Sequence, residues 1–185
     1  MSNEHFNLIA GFYDKTTRFT PSQALLRCLE LPEDGLLLDA GGGTGRVAAG
    51  LRAFVGGVVV ADVSRGMMRY AREKDLDCVH APAESLPFAS GTFDRIVMLD
   101  ALHHVHSQEL ALAELSRTLK PGGRLVIIEP DIHRFAVRLV ALAEKFLLMR
   151  SRILSGEKIA ELLSKSGIKV RIEFEEANVR VVAEK

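Results

Sequence analysis

Residues 36–46 read LLLDAGGGTGR, an apolar run followed by an acidic residue, a glycine-dense turn and the start of a helix. Glycines at positions 41, 42, 43 and 45 let the backbone adopt positive φ and approach a ligand with no Cβ in the way. Backbone amides at the start of the next helix offer donors to an anionic or oxygen-rich group. A strand, a glycine turn and a helix in this order indicate a nucleotide-like cofactor site in a doubly wound α/β fold.

The positions of two acidic residues restrict the classes of cofactor that the glycine turn could bind. Asp39 stands two residues before Gly41 in the form D-x-G-x-G-x-G, and Asp62 closes the next apolar run, GGVVVAD. A dinucleotide fingerprint requires a third glycine where this chain has Arg46, and a bulky side chain does not suit that close contact. A carboxylate such as Asp62 can accept both hydrogen bonds of a ribose diol. A ribose without a pyrophosphate points to an adenosyl group that carries something other than phosphate.

Strand and helix patterns alternate along the chain, which predicts an α/β fold with a mainly parallel sheet. We expect strands at 35–39, 57–62, 77–80, 93–99 and 123–129, with helices starting near Thr44, Arg65 and Ser107. A further helix at 157–167 precedes two alternating runs, IKVRIEF and NVRVVAEK, which predict an antiparallel hairpin around Glu175–Asn178.

Four segments in succession resemble the motifs of one family. They are LDAGGGTG, VVVADVSRGMM, AESLPFASGTFDRIVMLDALHHV and LKPGGRLVIIEPD. In this order they are similar to class I S-adenosylmethionine-dependent methyltransferases, most of all to the type 11 branch that includes the ubiquinone/menaquinone C-methyltransferases. The resemblance implies a Rossmann-like, doubly wound, seven-stranded sheet, mostly parallel, with an antiparallel C-terminal strand inserted between the fifth and sixth. It also implies S-adenosylmethionine as the cofactor.

The same resemblance assigns cofactor-binding residues. The methionine end would be held by Asp39, Gly41, Gly43 and Gly45, the ribose by Asp62, and the adenine by Val63, Met67, Ala83 and Glu84. Ala40 is a further cofactor-binding candidate. Backbone groups of Leu99 and Asp100 would meet the methionine amino end, and Tyr13 would cover the cofactor. One position departs from the family: Pro82 stands where an Asp or Asn usually reads the adenine amino group, and proline offers neither a side-chain acceptor nor an N–H.

We expect one methyltransferase domain over residues 1–185. Two segments fall outside the strand–helix alternation, residues 1–31 before the first strand and residues 132–155 after the fifth. In methyltransferases of this type such additions cover the cofactor and shape the acceptor pocket. The first is therefore the candidate N-terminal lid and the second the candidate cap insertion.

Three histidines follow strands at the predicted ligand edge, namely His103, His104 and His133. Because imidazole titrates near neutral pH, they are the candidates for general acid–base catalysis. Methyl transfer from a sulfonium needs a base only when the acceptor must lose a proton. Neighbouring histidines on one turn seldom converge on an ion, so we expect no metal. We expect Asp94 to be structural and expect Glu129 and Asp131 to form a solvated strand end.

Composition restricts the partners and the compartment. Lys+Arg and Asp+Glu both number 24, so the net charge is zero and no nucleic-acid partner is expected. Two cysteines in apolar contexts are expected to be reduced, as in a cytoplasmic protein. No signal peptide or membrane span is expected, although basic residues in 132–155 leave peripheral membrane contact open. The sequence gives no indication of oligomeric state.

The residues together favour methyl transfer from S-adenosylmethionine to a small apolar or aromatic acceptor. Two alternatives stay open: a non-catalytic module that binds S-adenosylmethionine or S-adenosylhomocysteine, and an NAD-dependent oxidoreductase. Arg46 and the lack of a Tyr-x-x-x-Lys pair count against the oxidoreductase. Pro82 and the small cap are compatible with the binding module.

Overall fold

A computed structural model of the chain describes residues 19–133, 152–175 and 177–185. Tyr13, most of the candidate N-terminal lid and most of the candidate cap lie outside the described residues. The predictions for those segments therefore stay predictions.

The described chain alternates strands and helices in the predicted order. The strands are β1 (Glu33–Ala40), β2 (Val55–Asp62), β3 (Asp77–His80), β4 (Phe93–Leu99), β5 (Leu119–Pro130), β6 (Lys169–Glu175) and β7 (Asn178–Glu184). The α-helices are α1 (Gln23–Leu29), α2 (Arg46–Leu51), α3 (Arg65–Arg72), α4 (Gln108–Thr118) and α5 (Gly156–Ser164). Short 3-10 helices span Arg52–Phe54 and Leu102–His104.

Within the described residues the strands form one seven-stranded sheet in the order β3-β2-β1-β4-β5-β7-β6. The first five strands in this order are parallel, whereas β7 runs antiparallel to both β5 and β6. This confirms the predicted mostly parallel sheet with an inserted C-terminal strand. The strand order reverses between β1 and β4, which is where open α/β sheets bind ligands at their carboxyl edge.

Helices cover both faces of the sheet, so neighbouring strand residues alternate between two apolar layers. Leu38 packs in the layer that includes α4 and α5, and Leu37 packs in the layer that includes α1, α2 and α3. Both leucines are fully buried. The near-continuous apolar runs in the sequence follow from burial on both faces.

The start of β5 differs most from the prediction. β5 begins at Leu119 rather than near residue 123, because Leu119 already pairs with Phe93 and the strand then shifts register. Gly122 takes a φ of 77° at this irregularity. The Pro-Gly-Gly run therefore lies within an irregular strand and not in a separate turn.

Asp94 is structural, as predicted. Its carboxylate accepts hydrogen bonds from the Leu36 amide at 2.9 Å and from the Lys120 ammonium at 2.8 Å. These bonds link β4 to the start of β1 and to β5. The pKa of Asp94 is lowered because the hydrogen bond from Lys120 and that from the Leu36 amide outweigh the effect of burial.

Candidate cofactor and acceptor site

A cavity of about 370 Å³ opens at the carboxyl ends of β1, β2 and β4, where the strand order reverses. Ten of the residues predicted to bind the cofactor line it: Asp39, Gly41, Gly43, Asp62, Val63, Met67, Ala83, Glu84, Leu99 and Asp100. Its volume lies in the range of small-molecule sites. The sheet therefore brings together motifs that are far apart in sequence.

The glycine turn between β1 and α2 forms the wall nearest the switch point. Gly41 and Gly43 have φ of 69° and 55°, in the left-handed region that favours glycine. A Cβ on Gly41 would lie 2.6 Å from the Cβ of Ala101, and one on Gly43 would lie 2.9 Å from the sulfur of Met67. The turn therefore needs glycine for its backbone and for its close neighbours.

Two of the predicted cofactor residues are absent from the cavity wall. Ala40 is fully buried in β1. Gly45, the residue before α2, has a φ of 72°, and a Cβ there would lie 2.5 Å from the Leu76 side chain and 3.0 Å from the Ala71 Cβ. Gly45 thus lets α2 approach the segment around α3, and its contribution to the site is indirect.

Asp39 ends β1 beneath the turn and is only 1% exposed. Its carboxylate accepts a hydrogen bond from the Ala48 amide at 3.0 Å. Burial raises the pKa of Asp39 to about 7, and the Ala48 hydrogen bond only partly opposes this rise. A cationic group placed in the cavity would favour the ionised carboxylate.

Asp62 ends β2 and is held by two backbone amides. One carboxylate oxygen accepts from Gly43 at 2.8 Å and the other accepts from Ser64 at 2.7 Å. Burial raises the pKa of Asp62, while hydrogen bonds from the amides oppose the rise. Each carboxylate oxygen keeps acceptor capacity, which suits a vicinal diol.

Beyond Asp62 the wall is largely apolar and includes Val63, Met67, Pro82 and Ala83. Glu84 lies at its edge, but one of its oxygens accepts from the His106 and Ser107 amides at 3.0 and 3.1 Å. Glu84 therefore holds the segment before α4. With Pro82 in the wall, a flat apolar ring would be held mainly by packing and backbone groups.

Asp100 follows β4 with a φ of 51°, a conformation that Asp tolerates better than most residues. Its amide donates to the Ile128 carbonyl of β5 at 2.9 Å, which fixes the turn away from the strand. Partial desolvation, followed by the negative charge of Glu129, raises the pKa of the Asp100 carboxyl.

The three candidate histidines occupy different environments. His104 lines the cavity. His103 is absent from the cavity wall, is 6% exposed, and its Nδ1 lies 2.6 Å from a carboxylate oxygen of Glu129. His133 is also absent from the wall and lies exposed beside Glu157 at 3.5 Å. The rings of His103 and His104 are in contact, with centroids 4.0 Å apart and planes tilted by 50°.

The expected solvated strand end at Glu129 and Asp131 is wrong, since these residues are 2% and 6% exposed. The second oxygen of Glu129 accepts from the Ala101 and Leu102 amides at 3.0 and 2.9 Å. Glu129 is buried because the loop after β4 folds back onto the end of β5. Its carboxylate accepts the hydrogen bonds that hold this loop in place.

Sequence reasoning also missed Arg46 as a wall residue. In the sequence, Arg46 indicates only that the third glycine of a dinucleotide fingerprint is missing. Its guanidinium carbon lies 5.8 Å from the centroid of the Phe19 ring, so the side chain spans from the cavity to the segment before α1. Its position directly after the glycine turn is the signal that could have identified it.

Among the described residues, no three His, Cys, Asp or Glu side chains converge as metal ligands. In the same residues, no helix combines the length and the apolar character needed to cross a bilayer. Cys28 and Cys78 are free thiols.

The sheet order, the inserted β7 and the acid-flanked glycine turn define a doubly wound α/β protein whose cavity at the switch point suits a nucleoside-bearing cofactor. Comparison with known proteins then shows which family this chain is similar to. Residues 38–127 match the sequence profile of the family described as "Methyltransferase domain".

Two curated relatives, from Klebsiella pneumoniae and Cronobacter sakazakii, are named ubiquinone/menaquinone biosynthesis C-methyltransferase UbiE. They are 36% and 40% identical over 130 residues, which cover 64% of this chain and 50% of each relative. The chain thus spans about half the length of the curated relatives it matches. A Thermotoga maritima structure, described as an S-adenosylmethionine-dependent methyltransferase and possible histamine N-methyltransferase, has a TM-score of 0.80 at 25% identity. That match covers 98% of this chain and 99% of the other.

Residues 38–127 thus match a methyltransferase domain, and the relatives and the solved structure support a class I S-adenosylmethionine-dependent methyltransferase of the type 11 branch. The cofactor of this family is S-adenosylmethionine.

Proposed function

We propose that this protein transfers a methyl group from S-adenosylmethionine to a small acceptor with an apolar or aromatic body. The observation that carries the proposal is the single cavity wall shared by Asp39, the glycine turn and Asp62. Similarity to the methyltransferase family supports the choice of cofactor, and the arrangement of this chain's own residues supports the orientation of the cofactor in the cavity.

Successive parts of the cavity wall match the methionine end, the ribose and the adenine of the cofactor. Asp39 and the turn at Gly41 and Gly43 would receive the cationic methionine end, since a buried carboxylate lies beneath the open backbone. Asp62 would bind the ribose diol with its remaining acceptor capacity. The apolar wall at Val63 and Met67 would pack against the adenine.

When bound, S-adenosylmethionine supplies an electrophilic methyl group: a lone pair of the acceptor forms the new bond, the C–S electrons stay on sulfur, and an acceptor proton leaves where required. The chain's task is then to align the partners, exclude water and take up that proton. His104 is our candidate for the proton, because it lines the cavity and its ring contacts that of His103, which in turn contacts Glu129.

The comparisons support a small acceptor without identifying it. The UbiE relatives are named for C-methylation, while the Thermotoga maritima neighbour is described as a possible N-methyltransferase. The proposal further includes one methyltransferase domain over residues 1–185, covered by the candidate lid and cap, and a cytoplasmic location. The free thiols of Cys28 and Cys78 support that compartment.

Isothermal titration calorimetry with S-adenosylmethionine, S-adenosylhomocysteine and NADH tests the cofactor assignment. We expect both adenosyl ligands to bind with micromolar affinity and NADH not to bind. Asp62→Ala should abolish most of the adenosyl binding, whereas Asp34→Ala, at an exposed position outside the cavity, should not. Lack of adenosyl binding by the unaltered protein would overturn the proposal.

A non-catalytic module that binds the same ligand is the second candidate, and Pro82 in the adenine wall is the observation that favours it. A methylation assay with tritiated S-adenosylmethionine and a panel of small phenols, quinols and amines separates the two. Tight cofactor binding without turnover of any member would favour the module.

A further inference from the structure

A second cavity, of about 170 Å³, adjoins the first at the carboxyl edge of the sheet. The two cavities share Leu99 and Asp100 in their walls. They meet again where Arg46, in the first wall, contacts Phe19, in the second. A molecule in the second cavity would therefore lie next to a ligand in the first.

One part of the second cavity is apolar and the other is polar. The apolar part comes from the segment before α1, from α1 and from the ends of β4 and β5, through Phe19, Leu25, Leu99 and Ile128. Asp100 and the β6–β7 hairpin provide most of the polar part, through Glu175, Asn178 and Arg180. The cavity thus suits a small molecule with an apolar body and one polar end.

The charges of the polar part do not balance. Arg180 is 5% exposed, and its two terminal nitrogens contact Glu173 and Glu175. Its positive charge is thereby offset by two carboxylates of the hairpin. The Asp100 carboxylate has Glu129 as a further negative neighbour, while Arg46 and His103 act on it in the opposite sense. The wall of the second cavity is therefore net negative.

We propose that the second cavity is the acceptor subsite and that it takes a small amine with an apolar body, whose nitrogen faces the Asp100 carboxylate. This inference rests on the proposed methyltransferase function and names the acceptor class. The adjoining walls place the amine next to the cofactor cavity. The net negative wall disfavours an anionic acceptor, because like charges repel across a partly desolvated site.

Three probes with the same ring and similar chain length test the charge preference: phenethylamine, 2-phenylethanol and 3-phenylpropanoate. Their binding would be measured by ligand-observed NMR to protein saturated with S-adenosylhomocysteine. We expect the amine to bind at least about fivefold tighter than the carboxylate, with the alcohol between them.

One variant tests whether the charge preference comes from Asp100, and a second tests whether the probes bind in the second cavity. Asp100→Asn keeps the size of the side chain and tolerates the left-handed backbone, so it should reduce the amine-to-alcohol affinity ratio to within about twofold of unity. Asn178→Trp fills the second cavity from an exposed strand end, so it should weaken all three probes at least about fivefold. Thermal unfolding of each variant checks that it is folded.

The outcomes separate the two proposals. S-adenosylhomocysteine binding combined with equal binding of amine and carboxylate, or with an unchanged ratio in Asp100→Asn, overturns the amine subsite alone. No binding of any probe to the saturated protein also overturns the subsite alone. Failure of S-adenosylhomocysteine itself to bind overturns the methyltransferase function and the inference with it.

Discussion

The carboxylate of Asp62 accepts a hydrogen bond from the Gly43 amide over 2.8 Å, although 19 residues separate the two in sequence. The bond joins the end of β2 to the glycine turn after β1. The side chain proposed to bind the ribose therefore also fixes the turn proposed to hold the methionine end. Cofactor binding and local structure depend on the same carboxylate.

Asp62→Ala should cost stability as well as affinity. Loss of the acceptor for the Gly43 and Ser64 amides should lower the free energy of unfolding by about 1–3 kcal/mol and S-adenosylhomocysteine affinity by at least about tenfold. Urea unfolding and calorimetry measure the two effects. Asp62→Asn, which retains one carbonyl acceptor, should recover part of the stability. An unchanged affinity in Asp62→Ala would contradict the ribose assignment.

Gly43→Ala should remove cofactor binding through the close contact of its Cβ with the Met67 sulfur. Gly122→Ala is the matched control, because Gly122 has a φ of 77° and no atom within 4 Å of its Cβ. Both variants should lose about 1 kcal/mol of stability from backbone strain. Only Gly43→Ala should lose S-adenosylhomocysteine binding in calorimetry. Equal loss in both would indicate a general effect of strain.

The buried Asp39 predicts a pH-dependent stability. Its folded pKa of about 7 lies above its ordinary value of 3.8, so its contribution is fully present below pH 3.8 and is lost as pH rises through 7. Asp39→Asn cannot ionise and keeps an acceptor for Ala48. Relative to the native chain, the variant should therefore gain about 1–3 kcal/mol between about pH 5 and pH 8. Urea unfolding at both pH values measures the gain, and a constant difference would refute the buried titration.

Glu129→Ala should destabilise the loop after β4. The substitution leaves the Ala101 and Leu102 amides and His103 without their shared acceptor, at a cost of about 3 kcal/mol. Glu129→Gln retains an oxygen for the two amides and should cost less. Hydrogen exchange of the loop amides, together with thermal unfolding, distinguishes the variants. Equal destabilisation by both would assign the effect to the charge on Glu129 alone.

Pro82→Asn should tighten cofactor binding. The new side chain adds an acceptor to the apolar wall, and the carbonyl that accepts from Ser85 at 3.0 Å is retained. We expect S-adenosylhomocysteine affinity to rise by about threefold to tenfold, the equivalent of one hydrogen bond. Pro121→Asn, at an exposed position of β5 outside the cavity wall, serves as the control for adding an amide. Unchanged affinity would show that the adenine amino group lies elsewhere.

The sequence predicts those features that depend on local order along the chain. Asp39 and Asp62 were recognisable because each ends an apolar strand beside a turn, and such strand ends meet at one edge of a parallel sheet. The antiparallel hairpin was recognisable from its alternation around Glu175–Asn178. The same local signals predict the bounds of β4 and most of the residues that line the first cavity.

Features that depend on register and on folded loops were not predicted. Glu129 is buried because Leu99 pairs with Ile128 and the loop after β4 then turns back over the end of β5. His103 lies in that loop and is buried, although its neighbour His104 lines the cavity. The second cavity needs α1, the end of β4 and the hairpin together, so no single segment indicates it.

The position of β7 bears on how the chain folds during synthesis. β7 follows β6 in sequence but lies between β5 and β6 in the sheet. Until residues 178–184 leave the ribosome, β6 has no strand to pair with, and the edge of β5 along Arg124–Pro130 keeps unpaired backbone groups. The nascent chain therefore carries an open apolar edge until this strand arrives, which makes that interval the one most exposed to misassociation.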